Sequence, residues 1–86
     1  MNILAVDIGN TTIAFGVFKA KRLILNFKLP THAKSLSFYK KNISGVLKKA
    51  KISVIDKIVI CSVVPEKTKV ISNIVAGILK KKTLVA

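Results

Sequence analysis

Asp7, Gly9, Asn10, Thr11 and Thr12 crowd into a single short stretch of the chain, and their types suit a phosphate site. A phosphate needs backbone N–H groups at close range, which a glycine permits by having no side chain, and further donors, which Asn and Thr side chains supply. It also needs a divalent ion. Mg²⁺ keeps several waters and takes only one or two carboxylates plus phosphate oxygens, so Asp7 alone is chemically sufficient, holding the ion directly or through water. Asp7 is also costly in an otherwise apolar run unless it is hydrogen-bonded or metal-linked. Only two other acids exist, Asp56 and Glu66. The same residues have a plainer use: Gly9-Asn10 makes a good hairpin turn, and its amides could serve Asp7. On spacing alone both readings stand.

The elements that would position this stretch follow from apolar periodicity. Asn2 to Ile8 is apolar on both alternating faces apart from Asp7, which predicts a central strand covered by helices on either side. Thr11 to Lys19 is rich in β-branched and aromatic residues and follows so closely that the two strands must be antiparallel. Arg22 to Leu29 alternates Leu23, Leu25, Phe27 and Leu29 with Ile24, Asn26 and Lys28, which predicts a strand towards an edge; the Ala20-Lys21 link to it lacks good turn residues. From about Ser35, Leu36, Tyr39, Ile43, Val46, Leu47 and Ala50 recur at helical spacing, with Lys34, Lys41 and Lys48 opposite. Lys57 to Val64 is another buried strand. Reached through a helix, it should lie parallel to the first strand by a right-handed crossover. Pro65 and Glu66 open a second helix with Val70, Ile71, Ile74, Val75, Ile78 and Leu79 as its packed stripe, and Thr83 to Ala86 begins a fifth strand. The parallel pair would bring Asp7, the turn, Ser62 and the amides at the start of the Pro65 helix to one sheet edge, where ligands of open α/β sheets bind.

At 86 residues the chain is one small domain or a piece of a larger one, with a marginal core despite 51% hydrophobic residues. Its net charge of +13, from 16 Lys+Arg against 3 Asp+Glu, raises the question of a nucleic-acid partner. The lysines are scattered and not interleaved with exposed aromatics, so no specific nucleic-acid recognition is expected. Cys61 lies in an apolar run and reads as a small core residue; a lone cysteine excludes a disulfide within the chain. Ser62 reads as a packed small residue, His32 as a loop residue and Tyr39 as core with its hydroxyl at the rim. No apolar run approaches the ~18 residues of a membrane span, and no targeting segment is visible. No membrane association and a cytoplasmic location are expected.

Ile3 to Phe18, Ile-Leu-Ala-Val-Asp-Ile-Gly-Asn-Thr-Thr-Ile-Ala-Phe-Gly-Val-Phe, closely resembles the opening of type III pantothenate kinases, whose first motif reads Asp-x-Gly-Asn-Thr. Lys28-Leu29-Pro30-Thr31 is similar to the Arg-Leu-x-Thr that ends their third strand. Cys61-Ser62-Val63-Val64-Pro65 resembles their Ser-Ser-Val-Val-Pro. Three matches in order favour the phosphate reading.

The resemblance implies an α/β, ribonuclease H-like (actin-like ATPase) domain: three antiparallel-connected strands, then helix, parallel strand and helix, incomplete at residue 86. It implies transfer of the ATP γ-phosphate to pantothenate, the first step of coenzyme A synthesis. Asp7, Ile8, Gly9, Asn10, Thr11, Thr12, Ile13 and Ala14 would form the ATP phosphate loop, with Asp7 near Mg²⁺. A monovalent cation (K⁺ or NH₄⁺), a homodimer and a second domain carrying pantothenate and the catalytic aspartate of a Gly-Ala-Asp-Arg motif are implied as well. That motif is absent from residues 1–86, so the chain reads as a truncated phosphate-binding domain, inactive alone, with no catalytic base among its residues. Lys28 replaces an Arg and loses bidentate geometry. The competing readings are a basic polyanion-binding module on the same scaffold and another actin-like ATPase or sugar kinase.

Overall fold

The computed structural model describes residues 1–33, 35–52 and 54–85. Lys34, expected on the lysine face of the first helix, and Ala86, expected in the last strand, lie outside the described residues. The elements are β1 (Asn2–Ile8), β2 (Thr12–Lys19), β3 (Arg22–Pro30), α1 (Leu36–Lys49), β4 (Lys57–Ser62), α2 (Pro65–Leu79) and β5 (Thr83–Val85). They form one mixed sheet in the order β3-β2-β1-β4-β5. The β1–β2 and β2–β3 pairs are antiparallel, and the β1–β4 and β4–β5 pairs are parallel. The central place of β1, the edge place of β3 and the parallel seat of β4 are therefore as the sequence predicts.

Helix α1 starts at Ser35, whose extended backbone (φ −147°) lets its hydroxyl accept the Phe38 N–H. Lys48 and Lys49 occupy the last turn, where cations favour the helix dipole. Tyr39, Ile43 and Leu47, four residues apart, form its buried stripe. Helix α2 has Pro65 in its first turn with Glu66, and buries Ile71, Ile74 and Val75. Both stripes meet one face of the sheet, made by Leu4, Val6, Ile8, Ile13, Phe15, Val17, Ile58 and Ile60, in a single core. Phe15 and Phe27 stack there at 4.6 Å. Each such side chain removed from water contributes roughly 1.5–3 kcal/mol, which is what opposes the ordering entropy of so short a chain.

Helices on both faces of β1 were expected, and the second cover is missing from the described residues. Connection geometry explains it. The paths from β3 through α1 to β4 and from β4 through α2 to β5 step along the sheet in the same direction, so crossovers of one hand place both helices on one side. The other face, with Ala5, Asp7, Ala14, Gly16, Phe18, Val59 and Cys61, is left open. Cys61 is accordingly exposed and not a core residue: it alternates with the buried Ile60 and falls on the uncovered side.

Three local departures have physical causes. The register slips between Val17 and Phe18, so that Val17 faces Leu25 and Phe18 faces Leu23. The bulge at Ile24 turns Leu23 onto the open face, half exposed, breaking the Leu23-Leu25-Phe27-Leu29 alternation. The β2–β3 hairpin closes through Ala20 (φ 49°) and Lys21 (φ 68°), both left-handed, which a tight hairpin demands even of non-glycine residues. Strand β4 ends at Ser62 and not at Val64, because the next residues turn into α2.

Candidate functional site

The carboxyl ends of β1 and β4 lie side by side, with Ile8 opposite Ser62 and the Val63 N–H donating to the Ile8 carbonyl at 3.1 Å. Between β1 and β2 the chain turns through Gly9, Asn10 and Thr11, one residue more than the expected Gly9-Asn10 turn. The Gly9 N–H donates to the Thr12 carbonyl at 3.0 Å. No glycine among the described residues has a positive φ. What favours glycine at position 9 is space, since a Cβ there would sit 3.2 Å from the Thr12 carbonyl oxygen. Asn10, Thr11 and Thr12 are exposed at the rim. The side chains of Ile8 and Ile13 are fully buried on the helix side and anchor the loop; these two residues have only backbone to offer a ligand.

Asp7 is exposed on the open face beside Ala14 on one strand and Cys61 on the other. The Gly9 amide of the turn goes to the Thr12 carbonyl and not to Asp7, the acceptor the plain-turn reading gives it. Asp7, Ala14 and Cys61, with Ala5, Gly16, Phe18 and Val59, line an open cavity of about 390 Å³, which the residues from Gly9 to Thr12 do not line. The small side chains at positions 5, 14 and 16 leave the carboxylate room. Among the described residues no cluster of three or more His, Cys, Asp or Glu exists, so a bound divalent ion would take most of its oxygens from water and ligand, the pattern Mg²⁺ prefers. A carboxylate with no salt-bridge partner among the described residues, and a loop whose glycine admits close approach, fit Mg²⁺ and a polyphosphate.

The start of α2 contributes less than its position suggests. Both the Lys67 and Thr68 N–H groups donate to the Val64 carbonyl. The Ser62 hydroxyl is committed as well, donating to the Val64 carbonyl and accepting its N–H at 3.0 Å each. Ser62 is thus a local brace. Asp56 accepts the Asn2 N–H at 2.7 Å at the opposite edge of the sheet, and Glu66 stands in the first turn of α2. Lys28 pairs with Ala14 at the end of the strand row that contains Asp7.

Thr31 is the residue that sequence reasoning left without a role. It is fully buried, its hydroxyl donates to the Gly9 carbonyl at 2.8 Å, and its N–H donates to the Thr11 carbonyl at 2.9 Å. The Tyr39 hydroxyl faces the Pro30 and Thr31 carbonyls and accepts the Ala33 N–H. The signal available was the Leu-x-Thr match at the end of β3. The partner lies 22 residues earlier in the chain, and no local pattern reveals it.

A larger groove, about 830 Å³, lies elsewhere, between α1 and α2, lined by Lys40, Lys41, Lys48 and the two helix glycines Gly45 and Gly77. None of its lining residues comes from β1 or the loop. Among the described residues no helix is long and apolar enough to cross a membrane.

This sheet order, with a turn at the carboxyl ends of β1 and β4, defines an actin-like, ribonuclease H-like domain. Solved structures agree. The fold is similar to ROK hexokinase from Thermus thermophilus, with a TM-score of 0.68 and 19% identity over 100% of this chain and 33% of that one. It is similar to YeaZ from Pseudomonas aeruginosa, at 0.70 and 15% identity over 99% of this chain and 43% of that one. It is also similar to Thermus thermophilus RuvC, at 0.64 and 15% identity over 99% and 60%. At these identities the likeness is one of fold alone. Within the class, the chain belongs to the type III pantothenate kinase family, which it matches over residues 3–86. It is 31% identical to the type III pantothenate kinase of Dehalococcoides mccartyi strain 195 over 96% of this chain, and 33% identical to that of Borrelia garinii subsp. bavariensis over 94%. The chain spans 33% and 30% of the length of those two relatives.

Proposed function

We propose that the chain is the ATP-phosphate-binding part of a pantothenate kinase, acting in the first step of coenzyme A synthesis. The observation that carries this is the exposed Asp7 carboxylate beside a loop whose glycine lies against the Thr12 carbonyl, in a member of the type III pantothenate kinase family. In this reading the backbone from Asp7 to Ala14 and the side chains of Asn10, Thr11 and Thr12 receive the phosphates. Asp7 holds Mg²⁺ through water. Bound there, Mg²⁺ would offset phosphate charge; the loop's part is to hold the phosphates in one place, since phosphoryl transfer depends mainly on positioning and electrostatics.

Pantothenate, the catalytic base and the monovalent cation (K⁺ or NH₄⁺) belong outside residues 1–86 in this proposal. So does the homodimer of the family, and the setting is the cytoplasm. Calorimetric titration with Mg·ATP tests the assignment: the wild-type chain should bind, and Asp7→Asn, shown folded by circular dichroism, should lose mainly the Mg²⁺-dependent part of the affinity. Equal Mg·ATP affinity in the two would remove Asp7 from the site.

A further inference from the structure

We propose that Thr31 is a positioning residue for the loop between β1 and β2, held in turn by Tyr39. The inference rests on the phosphate reading for its functional consequence and on geometry for its substance.

A three-residue loop at a sheet edge has few bonds of its own, and here the Gly9 N–H to Thr12 carbonyl bond is the one that closes it. The carbonyls of Gly9 and Thr11 are both taken by Thr31, one by its hydroxyl and one by its N–H. With both carbonyls tied back towards β3, the peptide planes that carry them are fixed, and so are the directions of the N–H groups on the other side of those planes. Those N–H groups are the donors a phosphate would meet. A hydroxyl buried to 0% exposure is placed there at a cost, and it is matched to a single acceptor.

Thr31 sits just beyond the end of β3, where the chain would otherwise fray. The Tyr39 hydroxyl bonds to the carbonyls of Pro30 and Thr31 and accepts the Ala33 N–H at 3.1 Å, pinning the segment from the α1 side. Tyr39 is itself 1% exposed, with the Lys67 ammonium 5.9 Å from its ring centre. The loop is thus tied through Thr31 to the first turn of α1 and, through Lys67, to the first turn of α2. Whatever shifts the two helices against the sheet would be felt at the loop carbonyls.

Two variants separate positioning from general stability. Thr31→Val keeps the shape and removes the donor; Thr31→Ser keeps the donor and removes a methyl. Amide hydrogen exchange at Gly9 is compared with exchange at the core residue Ile60, and Mg·ATP affinity is measured alongside. Thr31→Val should speed Gly9 exchange about tenfold relative to Ile60 and weaken Mg·ATP binding by about the same factor, the size expected for one buried hydrogen bond. Thr31→Ser should restore both. Unchanged Gly9 exchange, equal acceleration at Gly9 and Ile60, or a loosened loop with wild-type Mg·ATP affinity would each overturn the proposal. If the wild-type chain binds no Mg·ATP, the phosphate reading fails separately, and the exchange data alone decide whether Thr31 clamps the loop.

Discussion

Asp7 and Cys61 face each other across the β1–β4 pair, side by side on the uncovered face of the sheet. An adduct on Cys61 therefore intrudes on whatever Asp7 holds. Alkylation with a small maleimide should weaken Mg·ATP binding about tenfold or more, the scale of losing 1.4 kcal/mol. Cys61→Ser should bind normally and be indifferent to the reagent. Calorimetry before and after labelling checks this, and undiminished binding by the fully labelled chain would place the nucleotide elsewhere.

The β2–β3 hairpin closes without a glycine. Ala20 and Lys21 both adopt left-handed backbone, at a cost of roughly 1–2 kcal/mol per non-glycine residue. Replacing the pair by Asn-Gly (Ala20→Asn with Lys21→Gly) should raise stability by about 1–2 kcal/mol, read from the midpoint of urea unfolding. No gain, or a loss, would mean the side chains at positions 20 and 21 supply compensating contacts.

Much of this architecture was legible before the structure. The apolar runs at Asn2–Ile8 and Lys57–Ser62, separated by a helical stripe, imply a parallel pair, and Pro65 marks the second helix because its missing N–H is harmless only in a first turn. Asp7 drew notice as a charge in an apolar strand. Three things were hidden, each for a reason of tertiary origin. The bulge at Ile24 depends on cross-strand fit, so the apolar pattern of the β3 residues does not foretell it. The bare face depends on the direction of two crossovers; without it Cys61 reads as core, since its neighbours Ile60 and Ile58 are. The Thr31–Gly9 bond joins residues far apart in sequence, and a lone Thr after a Pro looks only like the end of a strand.

The lysine surface sets a third expectation. The helix groove holds Lys40, Lys41 and Lys48, while all three acids of the chain lie outside its lining. Scattered ammonium groups contact phosphates without reading base edges, so DNA or RNA should bind weakly, without sequence preference, and ever more weakly as salt rises. Fluorescence anisotropy at several salt concentrations checks this; tight, sequence-selective binding at physiological salt would promote the basic groove to a functional site.

Turnover is expected to be absent from the 86-residue chain alone. In-line transfer needs an acceptor hydroxyl held against the γ-phosphate and commonly a carboxylate to take its proton. Asp56 is bonded to Asn2 at the far edge and Glu66 stands in the first turn of α2, leaving Asp7 alone at the loop. A coupled assay with chain, Mg·ATP, pantothenate and K⁺ should match a no-protein control. Pantothenate-dependent turnover that Asp7→Ala abolishes would show that these residues assemble a complete site.

The measurement that bears most directly on the phosphate site is a titration of the isotope-labelled chain with Mg·ATP followed by amide chemical shifts, because two rival regions lie apart in the fold. The loop lies at the carboxyl edge of the sheet; the larger, more basic groove lies between the helices. Shift changes should centre on Asp7 to Ala14 and reach Val63, whose N–H is bonded to Ile8, and should shrink when Mg²⁺ is withheld. Changes centred on Lys40, Lys41, Gly45, Lys48 and Gly77, with the loop amides unmoved, would contradict the account.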